Sequence, residues 1–141
     1  MPANMPRRIK YRKCQRCVWQ IKRKAHRGNR VSYGEYGLQS LEGAWITAQQ
    51  IEAGRVAATQ YLQREGRVFI RIFPHKPVSA KPLEVRMGSG KGETDYWAAI
   101  VREGAVLYEI GGVDRDTARL ALARVAGKMP VRCRMIERKH D

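Results

Sequence analysis

No carboxylate occurs before Glu35. The acid-free stretch nevertheless carries eleven Lys and Arg side chains, at positions 7, 8, 10, 12, 13, 16, 22, 23, 24, 27 and 30. Such a segment cannot neutralise itself, so in isolation it repels itself and does not collapse. The chain also lacks any run near eighteen apolar residues, which argues against a membrane-spanning helix. Its first residues lack the apolar stretch of a secretory signal. An organelle transit peptide would be Arg-rich and acid-poor too, but Ser is scarce here, and Pro2 and Pro6 spoil an amphipathic helix. Cysteine is sparse and odd in number (Cys14, Cys17, Cys133), which points to reduced thiols in a cytosolic setting.

Cationic charge is what the chain has in excess. Its 141 residues include 28 Lys and Arg against 13 Asp and Glu, a net charge of +15. Beyond residue 30 only 17 basic side chains face the 13 acids. The organisation expected is therefore a basic arm over 1–30 on a nearly balanced domain over 31–141, with a polyanion as partner. Nucleic acid comes before a membrane surface or heparin in that order of expectation.

The domain mixes strand and helix signals, and α+β is the class expected. Aromatics and glycines over 31–40 suggest a bent or bulged strand. Thr47 and Gln50 form a capping box for a helix with Ala48, Ile51, Ala58 and Leu62 on one face and Arg55 within that apolar arc; Gly66 is expected to end it. A strand follows over 67–73. Apolar runs at 96–101 and 105–110 flank Arg102-Glu103-Gly104, a hairpin signal. Asp114 or Asp116 caps a second helix stopped by Pro130, and a last strand runs over 131–136.

Between the strands lies 74–95, which has no apolar pattern and contains Arg86-Met87-Gly88-Ser89-Gly90-Lys91-Gly92. Loops this long inside a compact domain are usually functional or disordered. The stretch fails as a nucleotide-binding P-loop: Val85 stands where the first Gly belongs, Gly92 replaces the magnesium-binding hydroxyl, and a strand rather than a helix follows. A plain surface loop is one reading. The other is a finger in which glycines remove bulk so that backbone amides, Lys76, Lys81, Arg86 and Lys91 can close on an RNA backbone.

Other motifs are thinner. Cys14-x-x-Cys17 is half a zinc site, with His26, Cys133 or His140 as possible completions. Tyr11 and Trp19 lie among cations, where aromatics stack on unpaired bases or anchor the arm. Glu93 and Asp95 could hold magnesium in a metal-assisted RNA-processing nuclease, the alternative to a binding role. No nucleophile–base–acid set can be assembled.

Two segments carry a family resemblance: Arg86-Met87-Gly-x-Gly-Lys-Gly92 followed by Trp97, and Arg64-x-Gly66-Arg67-Val68-Phe69-Ile70-Arg71-Ile72-Phe73-Pro74 continued by Lys76-Pro77 and Lys81-Pro82. Together they resemble the bacterial large-subunit ribosomal protein L-sixteen family, with supporting stretches from about residue 6 to 136. The chain departs from the pattern at Cys14–Ile21, and Phe69, Gln49 and Val56 replace a usual Trp and two frequent Arg. The resemblance implies an α/β-hammerhead-like sandwich of mainly antiparallel strands. It implies a structural subunit of a cytoplasmic (or organellar) ribosome, with no cofactor and no membrane. Its partners would be large-subunit rRNA near the peptidyl-transferase and A-site region, tRNA and neighbouring ribosomal proteins. Carried onto this chain, Arg7, Arg8, Lys10, Arg12, Lys13, Arg27, Arg30, Arg55, Arg71, Lys76 and Lys81 would bind rRNA. Arg86, Met87, Gly88, Gly90, Lys91 and Gly92 would approach tRNA.

Overall fold

The computed structural model describes residues 4–139. Its strands are β1 (Tyr36–Ser40), β2 (Ala44–Thr47), β3 (Arg67–Ile70), β4 (Lys76–Ala80), β5 (Glu93–Val101), β6 (Val106–Gly111) and β7 (Cys133–Glu137), and its helices α1 (Ala48–Leu62) and α2 (Arg115–Ala126). One sheet has the order β3-β6-β1-β7 and the other β2-β5-β4, with every pairing between them antiparallel. The α+β expectation holds.

Local chemistry sets the helix starts. At α1 the Gln50 amide donates to the Thr47 hydroxyl (3.2 Å) while the Thr47 amide donates to the Gln50 side chain (3.0 Å). Two otherwise unpaired groups are thereby satisfied. Asp114, rather than Asp116, caps α2. Ile51, Ala58 and Leu62 from α1 meet Ala121, Leu122 and Val125 from α2 over Leu38, Ile46, Val101, Leu107, Tyr108 and Ile110. Both sheets and both helices thus share one core. Gly54 lets α1 lie against β6: a Cβ there would sit 2.5 Å from the Tyr108 hydroxyl, which donates to the Ile51 carbonyl.

Three local expectations are corrected, and one strand was not anticipated. The runs around Arg102–Gly104 are not a hairpin, because β5 pairs in one sheet and β6 in the other. Gly104, at φ +91°, turns the corner between sheets instead. The stretch 74–95 is not structureless throughout: β4 pairs with the start of β5, leaving 81–92 as the loop. α1 ends at Leu62 with Gln63 in the left-handed region, before Gly66 is reached. Finally, β2 forms from Ala-Trp-Ile-Thr, a run too short to stand out in sequence. The bulge expected in 31–40 is present, as a register shift between Leu38 and Gln39 against β6.

Candidate nucleic-acid interface

Peptide oxygens hold the arm to the domain. The carbonyls of Arg12, Cys14, Arg16 and Gln20 accept hydrogen bonds from Thr94 Oγ1 (3.3 Å), Lys91 Nζ (2.6 Å), Lys76 Nζ and Arg102 Nε (3.1 Å). Further on, Val106 N–H donates to the Gly28 carbonyl (2.8 Å) and Arg71 to that of Arg30 (3.3 Å). The fit is close: a Cβ on Gly43 would stand 1.9 Å from the Ile21 carbonyl oxygen.

Because the backbone makes the attachment, the side chains are left outside. Arg7, Arg8, Lys10, Arg12, Lys13, Arg27 and Arg30 are all exposed. Among the described residues, only Lys13 of these seven has a carboxylate in reach, Glu93 at 3.6 Å, and both of those groups are exposed. Tyr11 and Trp19 are exposed as well, beneath Lys10 and Arg23 respectively. They are surface rings, not anchors in the core.

The loop projects beside this display. Gly88, Ser89 and Gly90 have successive φ values of 109°, 59° and 90°, a run only glycine-rich sequence adopts without strain. Around Gly88 and Gly90 no atom would meet an added Cβ within 4 Å, and Met87 is 95% exposed. Gly92 is different, since a Cβ there would meet the Ala80 carbonyl oxygen at 2.5 Å. Arm and loop are cross-linked by two lysines: Lys13 donates to the Lys91 carbonyl (3.0 Å) and Lys91 to the Cys14 carbonyl. Lys81 donates to the Gly88 carbonyl. Arg86 makes no hydrogen bond or ion pair among the described residues, so its guanidinium is the loop's free cation.

Three cations expected on rRNA have partners within the chain. Lys76 is buried, with its ammonium 4.5 Å from the Trp45 ring centroid and bonded to the Arg16 carbonyl. Its charge is answered internally and does not reach the loop surface. Arg71 lies over the Tyr33 ring and pairs with buried Glu109. Arg55 is on the outer face of α1, not in its apolar arc, and pairs with Glu52.

Glu109 is the structural residue that sequence reading passed over. Its signal was an acid inside the apolar run Leu107–Ile110. Burial pushes its carboxyl up, but the amides of Gly34, Ser32 and Tyr33 together with Arg71 outweigh this and hold it below the ordinary glutamate value.

The alternatives gain little geometry. Cys14 is exposed and Cys17 half-buried. Burial, then the negative charge of Glu42, pushes the Cys133 thiol up to about 11, unfavourable for a thiolate ligand. His140 lies outside the described residues, among which no group of three His, Cys, Asp or Glu gathers as a metal site. Glu93 and Asp95 are exposed at the start of β5, with Lys13 beside the former.

Fold and surface define a small, strongly basic α+β protein that presents an arm of exposed cations and a glycine-rich finger side by side on one scaffold. The chain belongs to the ribosomal protein L16p/L10e family, whose profile matches residues 6–136. It is 54% identical to the large ribosomal subunit protein uL16 of Rhodopirellula baltica over 137 residues, which is 97% of this chain and 98% of that protein. To the protein of the same name from Heliobacterium modesticaldum it is 50% identical over 135 residues, 96% of this chain and 92% of the relative.

Proposed function

We propose that the protein is a structural, non-enzymatic component of the cytoplasmic large ribosomal subunit. It binds rRNA through the arm, near the peptidyl-transferase and A-site region, and directs the Arg86–Gly92 loop at tRNA. The observation that carries this reading is the arm's mode of attachment. Inward carbonyls and outward cations make residues 7–30 a pre-formed set of phosphate contacts rather than a coil awaiting order. Arg86 and Met87, exposed beyond the arm–loop clasp, are the groups placed to touch a second RNA.

Salt titration of binding to large-subunit rRNA tests the reading. Each phosphate contact contributes a slope of about −0.7 to −0.9 in log K against log salt. Deleting residues 4–30 is expected to flatten the slope by several such contacts, and Arg86→Ala by one at most. A slope unchanged by the deletion would refute the arm's role. Magnesium-dependent RNA turnover abolished by Glu93→Ala would instead support the nuclease reading.

A further inference from the structure

Away from the arm–loop clasp, Tyr33 and Phe69 form an aromatic pair on the outer side of the four-stranded sheet. Their ring centroids are 5.9 Å apart and their planes 28° from parallel. Tyr33 is 66% exposed although its backbone amide is bonded to a buried side chain. The amides of Ser32, Tyr33 and Gly34 all donate to the buried carboxylate of Glu109 (3.1, 2.6 and 2.8 Å). Arg71, fixed by the same carboxylate, lies with its guanidinium carbon 5.0 Å from the Tyr33 centroid. An exposed ring on an anchored backbone, backed by a second ring, is a rigid platform that gives up little entropy on contact.

Beside it is a hollow of about 480 Å³, within the size range of ligand sites. Its floor is glycine. Gly34 and Gly111 lie so close that a Cβ on Gly34 would stand 2.6 Å from the Ile110 oxygen, and one on Gly66 would stand 2.5 Å from the Gly111 oxygen. Three segments therefore meet backbone to backbone, leaving a surface without side chains next to the rings. Arg67 and Arg138 stand at the rim, exposed and without ion-pair partners among the described residues. Glu35 is the one carboxylate there.

We propose that this platform receives one unstacked base of rRNA on Tyr33, with Arg67 and Arg138 holding the flanking phosphates. Stacking on an aromatic ring suits a single-stranded nucleotide, the glycine floor admits the sugar and base without steric bulk, and the two free guanidinium groups complement the backbone charge. A protein partner of acidic character would use the arginines but would not need the open ring. The inference presupposes the rRNA-binding reading above and adds a second contact region, whose ring follows directly on the arm and whose arginines come from β3 and from the segment after β7.

The test is binding of the full chain to transcribed large-subunit rRNA, with Tyr33→Ala, Tyr33→Leu, Tyr33→Phe and Arg67→Ala. Tyr33→Ala and Tyr33→Leu are expected to lose about ten- to hundredfold in affinity with the salt slope unchanged, the signature of one lost stack. Tyr33→Phe should bind like the parent, and Arg67→Ala should lower the salt slope by about one contact. Thermal unfolding of each variant separates folding from binding, and Leu keeps apolar bulk if Ala proves unstable. Ultraviolet crosslinking in assembled large subunits should join Tyr33 to a nucleotide. Parental affinity in Tyr33→Leu, or a crosslink from Tyr33 to protein, would overturn the platform while leaving the arm intact. A full chain that fails to bind rRNA at all would overturn the underlying reading.

Discussion

Glu109 shows how one side chain can order a surface it does not reach. Its carboxylate satisfies three consecutive amides and Arg71 at once, so its removal strands partly buried donors. Glu109→Gln is expected to destabilise the fold by about 3 kcal/mol, as breaking one partner of a buried pair does. The sign with pH follows from the lowered folded-state value. The contribution is complete above the ordinary glutamate value of 4.5 and is lost as pH falls through the folded value. Urea unfolding should therefore show a large gap between parent and variant at pH 7 that narrows below pH 4. A gap independent of pH would contradict the assignment. Thr47→Ala removes half of a reciprocal cap and should cost α1 about 1 kcal/mol in the same assay.

Elements differ in how legible they were. Helix α1 could be placed from its cap and its i, i+3, i+4 spacing because those signals lie within a few residues of one another. The two runs Tyr96–Val101 and Ala105–Ile110 could be recognised as strands but not paired, since a short Gly-containing turn suits both a hairpin and a corner between sheets. β4 was hidden by Pro77 and by Lys76, a polar residue that becomes buried only because Trp45 and the arm cover it. At this scale Gly43 offers a steric probe of arm docking. Gly43→Ala should displace the Ile21 backbone and accelerate trypsin cleavage within residues 7–30, with little change in domain stability. Unaltered cleavage would mean that the arm does not rest there. Gly92→Ala should act likewise at the loop base, loosening the β4–β5 end against Ala80.

For the whole molecule, the decisive property is that charge and attachment are largely separated: Lys13 apart, the arm binds the domain through its peptide groups and leaves its cations exposed. Tightening of the arm–loop clasp can be tested by Lys91→Met, which should increase proteolysis of the arm and of residues 81–92 together; cleavage of one alone would show that the clasp does not couple them. Sequence by itself determined the partner's sign, the α+β class, the first helix and the finger at Arg86–Gly92. Each of these depends on composition or on neighbours along the chain. Only the tertiary structure decided which cations are free. Lys76, Arg71 and Arg55 carry the same charge as Arg12 and Arg30; Glu52, three residues before Arg55, is a local signal, but nothing nearby in sequence marks Lys76 or Arg71. What separates them is a ring, a buried carboxylate or a helix neighbour brought within a few ångströms by the fold, and for two of the three those partners lie tens of residues away.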